Sequence, residues 1–155
     1  MSLTLVCVLT MSKERIFPEY VQLEALNSMS ENTLVSHIGI EFTEIGSDYI
    51  EATMPVDDRT KQPMGLLHGG ASVVLAETLG SVGSTLLIDI AKQSAVGLEI
   101  NTNHLKSARS GKVIGRAKPI HIGKGTQVWG IEIKNEAGQM VAISRITMAI
   151  LSANK

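Results

Sequence analysis

The stretch Gly69-Gly70-Ala71-Ser72-Val73-Val74-Leu75-Ala76-Glu77-Thr78-Leu79-Gly80-Ser81-Val82-Gly83-Ser84-Thr85-Leu86-Leu87-Ile88 decides how this chain folds. From 71 to 88 it is weakly polar and too long for one strand. Val73, Val74, Leu75, Leu79, Val82, Leu86 and Leu87 spread around a helical wheel, so the segment reads as a helix buried on most sides. Its length brushes the membrane-span window, but Glu77, the serines and threonines and the internal glycines argue against lipid. A lone helix of this kind needs a wrapper.

The flanking sequence supplies one. Upstream, 18–29 places Leu23 and Leu26 on one side of a short amphipathic helix. Ile38, Ile40 and Phe42 then alternate with Gly39, Glu41 and Thr43, and Ile50, Ala52, Met54 and Val56 alternate with Glu51 and Thr53. Both runs have the period of a strand, and Gly46-Ser47-Asp48 between them is turn chemistry. The polar segment 57–67, with Pro63 and Gly65, reads as a loop. Downstream come four strand patterns and no further helix: Val96, Leu98 and Ile100; the run 112–120; Trp129, Ile131 and Ile133; and Met140 through Ile150. The linkers 107–111, 123–125 and 135–138 suit antiparallel hairpins. The predicted architecture is α+β, an antiparallel sheet curled around one long central helix. Such a sheet has edges, and dimerisation would cover them.

Composition narrows the function. The 155 residues suit one domain with a sizeable core, and the 44% apolar and 19% charged shares are those of a soluble globular protein. A net charge of −1 gives no field to draw nucleic acid or an acidic membrane, and 3% aromatics leave few stacking platforms for single strands. Cys7 is the single cysteine, so no intramolecular disulfide can form, which fits a reducing cytoplasm. The apolar opening lacks the basic leader and small-residue cleavage site of a secretory signal. Residues 1–15 are expected to be a flexible extension and 16–155 the folded domain.

Between Gly65 and Ile88, Glu77 is the one formally charged side chain, set in the middle of a helix meant for burial. A carboxylate there needs donors or a role. Ser81, one turn on, is placed to hydrogen-bond it. His68-Gly69-Gly70 opens the helix, where free N–H groups and the positive end of the dipole suit a developing oxyanion or a phosphate, and glycine lets a ligand approach. The run His121-Ile122-Gly123-Lys124-Gly125-Thr126 reads as a hairpin turn or a phosphate cradle. Lys106, Arg109 and Lys112 form a basic cluster, either plain surface or what an anionic tail needs. His37, His68, His104 and His121 are scattered without metal-ligand spacing, and no G-x-S-x-G elbow is present.

The segment from Arg59-Thr60-Lys61-Gln62-Pro63-Met64-Gly65-Leu66-Leu67-His68-Gly69-Gly70 to Glu77 closely resembles the hotdog-fold acyl-CoA thioesterases, as do Val96-Gly97-Leu98-Glu99-Ile100-Asn101, Asn103-His104 and Gln127-Val128-Trp129. Within that superfamily the chain resembles the 1,4-dihydroxy-2-naphthoyl-CoA hydrolases of menaquinone synthesis and the proofreading thioesterases of enterobactin synthesis. The resemblance spans about 23–151. It implies cytoplasmic hydrolysis of an aromatic acyl-CoA, with CoA as part of the substrate and no cofactor. It further implies a homotetramer built as a dimer of dimers, with active sites between subunits.

Carried over by position, the Gly69 N–H polarises the thioester carbonyl, and Glu77 from the partner's helix acts as nucleophile or general base. Gln62 and His68 orient thioester or water, Ser81 supports the carboxylate, and Gly70 lies beside the substrate. His104 lies near the acyl group, while Gly97, Lys106, Ser107, His121, Ile122, Gly123, Lys124, Gly125 and Thr126 correspond to CoA contacts. The chain departs from the family pattern at Gly83-Ser84-Thr85, where the helix is expected to shape the acyl pocket. A hotdog dehydratase or hydratase, a thioesterase acting on an aryl-carrier protein, and a binding domain without catalysis are the alternatives.

Overall fold

The computed structural model describes residues 15–152; most of the expected extension, with Cys7, lies outside them. Two short helices, α1 (Leu23–Met29) and α2 (Leu34–His37), precede strands β1 (Glu41–Ile45) and β2 (Ile50–Pro55). A single long helix, α3 (Gly69–Thr85), follows, and then come β3 (Gln93–His104), β4 (Lys112–Ile122), β5 (Thr126–Asn135) and β6 (Met140–Ser152). All strand neighbours are antiparallel, in the order β1-β2-β4-β5-β6-β3. This is the expected α+β arrangement of one helix against one curled sheet.

Three details differ from the sequence reading. Residues 34–37 form a helical turn capped by the Thr33 hydroxyl, which accepts from the Val35 N–H, so the strand begins at Glu41. The linker 107–111 joins no hairpin: β3 lies at the sheet edge beside β6, and β4 sits between β2 and β5, so the chain crosses the end of the sheet. Finally, α3 is buried along one face rather than on most sides. Ser72, Leu75, Ala76, Leu79, Gly80, Gly83 and Ser84 face the sheet, while Val73, Val74, Glu77, Thr78, Ser81 and Val82 are half-exposed.

Contact between helix and sheet is close because glycine lines it. A side chain at Gly80 would collide with Ile146, and one at Gly115 with Leu75 and Leu79. The core between the layers contains Trp129, Ile131, Ile133, Ile146, Met148, Met54 and Ile50, all essentially inaccessible to solvent. Phe17 closes one end, its ring stacked 6.2 Å from that of Trp129. Pro119 is tolerated in β4 because β2 pairs no further along that strand than Ala117, and because the register slips beside it.

Candidate active site

Helix α3 opens at a turn that the preceding loop holds in place. Thr60, buried, donates its hydroxyl to the Pro55 carbonyl (2.7 Å) and accepts from the Asp57 N–H (3.1 Å). Gly65 takes φ +77° and donates to the Gln62 carbonyl at 2.9 Å. The Leu67 N–H bonds to Ala108 O and the His68 N–H to Thr60 O, each at 2.8 Å. These bonds tie the loop to the strap after β3 and fix where the helix begins.

His68 is the N-cap: its Nδ1 accepts from the Gly70 N–H at 2.8 Å. An imidazole nitrogen that accepts carries no proton, so the neutral ring presents Nε2–H as a donor. Gln62 is polarised the same way, since its Oε1 accepts from the Met64 N–H, leaving the amide NH2 to donate outward. The Gly69 N–H has no acceptor among the described residues. Local backbone geometry thus leaves three N–H donors around the helix N-terminus.

A cleft of about 320 Å³ opens there, lined by Gln62, Leu66, Leu67, Gly69, Ser72, His104, Leu105, Lys106, Ser107, Ala108 and Val141. A side chain at Gly69 would meet His104 Nε2 at 2.8 Å, so only glycine leaves room for both the imidazole and a ligand. Four of the expected site residues besides Gly69 therefore converge: Gln62, His104, Lys106 and Ser107. His68 and Gly70 stand exposed at the same turn. Ser72, Leu66, Leu105 and Val141 escaped the sequence reading; only Ser72, three positions beyond Gly69 on the same helix face, left a readable signal.

Glu77 does not join them within one chain. It lies eight positions along α3 from Gly69, which at 1.5 Å per residue is about 12 Å. Its carboxylate rests against β3, where a side chain at Gly97 would meet Oε1 at 2.5 Å. Ser81 Oγ donates to Oε1 at 3.5 Å, a long bond, and touches Met148 Sδ at 4.0 Å. Gly97 thus borders the acid rather than the cleft. The turn 121–126 lies at the other end of the sheet: the Gly123 N–H bonds to Thr126 O, and Gly125 O accepts from the Ile150 N–H, whereas Val141, at the start of β6, lines the cleft. Gly83 and Ser84, expected beside an acyl pocket, instead face Trp129 in the core.

The sheet, the one long helix and a helix N-terminus furnished with donors are the arrangement expected of a thioester hydrolase. The chain belongs to the Thioesterase superfamily, whose sequence model matches residues 64–142. It is 56% identical over 136 residues to the 1,4-dihydroxy-2-naphthoyl-CoA hydrolase of Escherichia coli K12, covering 88% of this chain and 99% of that one. It is 48% identical to the proofreading thioesterase EntH of Cronobacter turicensis, over 88% of this chain and 98% of the relative. A crystal structure of a Haemophilus influenzae thioesterase superposes with a TM-score of 0.87 at 47% identity, covering 90% of this chain and 97% of the other.

Proposed function

We propose that this protein hydrolyses acyl-CoA thioesters to free acid and CoA. An aromatic acyl group of the 1,4-dihydroxy-2-naphthoyl class is the preferred substrate, and each active site is shared by two subunits. One observation carries the reading: the donors at Gly69, Gln62 and His68 surround one end of α3, while the acid they require sits about 12 Å down the same helix. A single chain cannot apply both to one carbonyl.

A second copy resolves the mismatch. Strand β3 is an unpaired sheet edge whose Val96 and Leu98 are 42% and 62% exposed. The outer flank of α3 leaves Val73, Val74 and Val82 half-covered. Two-fold pairing of these edges would extend the sheet and run the two helices antiparallel, bringing Glu77 of one subunit toward Gly69 of the other. For the dimer of dimers, the outer sheet face offers Ile120 and Ile143, exposed among Arg116, Lys118, Glu132 and Arg145.

In this arrangement the carbonyl oxygen accepts from the Gly69 N–H, assisted by the Gln62 amide and His68 Nε2–H. Glu77 either attacks the carbonyl carbon directly or takes the proton of an attacking water. Both routes consume one water, break the C–S bond and release CoA as thiol. Preorganised donors of this kind typically contribute about 2.7–4 kcal/mol each to acyl transfer. Lys106 and Ser107 flank the cleft as contacts for the CoA arm. The basic turn 121–126 reaches that arm only from another subunit. A cytoplasmic location goes with acyl-CoA as the substrate.

The test is a substrate panel of 1,4-dihydroxy-2-naphthoyl-, hydroxybenzoyl- and medium-chain acyl-CoAs, followed by thiol release. Glu77→Ala should fold and assemble while kcat falls by orders of magnitude, and Glu77→Asp should keep part of the activity. A folded Glu77→Ala protein turning over at the wild-type rate would refute the assignment. Free thiol also separates hydrolysis from hydration, which releases none.

A further inference from the structure

The β3 strand changes phase in its middle. Up to Gly97 its partners in β6 follow one regular register, Ala95 opposite Ile150 and Gly97 opposite Met148. Beyond it Glu99 pairs with Thr147, Ile100 with Ile146 and His104 with Ala142, so Leu98 is an extra residue, a one-residue bulge. Because side chains alternate across a strand, the insertion exchanges the two faces. Odd positions, Ala95 and Gly97, face α3 before it, and even ones, Ile100, Thr102 and His104, face it after. Without the bulge the helix side would receive Asn103 in place of His104.

The phase change lets two residues of one strand, Gly97 before it and His104 after it, face the two halves of the site. His104 lies against Gly69 at the helix N-terminus, and Gly97 lies against the Glu77 carboxylate. A Cβ at Gly97 would stand 2.5 Å from Oε1, and its next neighbours, Cδ and Oε2, belong to the same carboxylate at 3.5 and 3.7 Å. No backbone or core atom is among them. Carbon and oxygen come to rest near 3.5 Å, so a methyl here displaces the acid by about 1 Å and leaves the strand unstrained. Gly97 has no positive φ that would demand glycine. The requirement comes from the carboxylate.

We propose that Gly97 is a positioning residue for Glu77, and that the Leu98 bulge exists to let one strand serve both the acid and the oxyanion end. This adds to the contact with CoA expected of Gly97. It rests on Glu77 being the catalytic carboxylate.

The experiment is a two-by-two cycle of Gly97→Ala and Glu77→Asp in the full chain, read as kcat and KM on an aroyl-CoA, with the oligomer checked by gel filtration. Misplacing a catalytic group by about 1 Å costs up to roughly a hundredfold. Gly97→Ala should therefore lower kcat roughly ten- to a hundredfold and leave KM within about twofold. In the Glu77→Asp background, where the shorter acid has already withdrawn, the same substitution should change kcat less than about threefold. Wild-type kcat in Gly97→Ala, an equal loss in both backgrounds, or a rise in KM alone would each overturn the proposal. If Gly97→Ala does not assemble, the double variant decides, since only a clash with the acid is relieved by Glu77→Asp. A Glu77→Ala variant at wild-type rate sinks the catalytic reading itself, separately from the role of Gly97.

Discussion

The indole N–H of Trp129 donates to Ser84 Oγ at 2.7 Å, while the far edge of its ring fills the space that a side chain at Gly83 would occupy. Two of the three residues that depart from the family pattern in α3, Gly83 and Ser84, are thus matched to one buried aromatic. Ser84→Ala leaves the indole only Gln127 Oε1 at 3.4 Å, and a buried donor so deprived costs about 1–3 kcal/mol. Gly83→Ala overpacks against the ring at 2.9 Å, for about 1–3 kcal/mol. Urea unfolding should show both losses with KM unchanged. A substrate preference that shifts in either variant, at unaltered stability, would return this pair to the acyl pocket.

How much of this was legible beforehand follows from the range of each signal. Periodicity of two located the strands, and the apolar run after Gly70 located the helix, because both are local consequences of burial. Glu77 and the His68-Gly69-Gly70 turn were readable for the same reason: a charge in a greasy segment and glycines at a helix start are anomalies within a few residues. Sheet order was not, since β3 passes over β5 and β6 to the edge, and no local pattern in 107–111 encodes that crossing. The bulge at Leu98 was hidden as well. Val96, Leu98 and Ile100 alternate without a break in the sequence, and only the pairing with β6 reveals that Leu98 is surplus.

Gly65 offers a conformational test of the loop before α3. Its φ of +77° is a left-handed value, and nothing lies within 4 Å of where its Cβ would be. Gly65→Ala therefore meets no clash and bears only the backbone cost, roughly 1–2 kcal/mol. Because Gly65 N–H closes a turn on the Gln62 carbonyl, the strain falls on a cleft residue. Thermal unfolding should drop by a few degrees and kcat/KM should fall, while Gly65→Asn, which enters this region more readily, should lose less of both. Equal losses in the two variants would deny a conformational cause.

Acid should loosen the same loop. The Arg59 guanidinium, bonded to Asp57 through Nε and Nη2, together with the Arg59 N–H, holds the Asp57 carboxyl below its usual range. A group whose pKa is lowered on folding favours the folded state when ionised. Its contribution is complete above the unfolded aspartate value of about 3.9 and is lost as the pH falls through the folded value. Asp57→Asn should therefore reduce the urea midpoint at pH 7 and make progressively less difference as the pH falls below about 3.9. The pair is half-exposed, so 1 M salt should shrink the pH 7 effect. A variant indistinguishable from wild type at pH 7 and low salt would remove this contribution.

Sharing of the site between subunits makes the strongest prediction. Glu77→Ala removes the acid, and Gln62→Ala removes a donor at the other end of α3. Each homo-oligomer should be impaired at every site. If the acid acts across a dimer, a heterodimer places both lesions in one site and leaves the second site intact. Random exchange in an equal mixture makes half of all dimers heterodimers, each with one intact site of two, so about a quarter of sites recover. Activity measured after denaturing and refolding the two variants together should rise to that fraction of wild type. A site complete within one chain would give only the average of the two impaired proteins, and that result would return Glu77 and Gly69 to a single subunit despite the 12 Å, estimated at 1.5 Å per residue, that separates them along the helix.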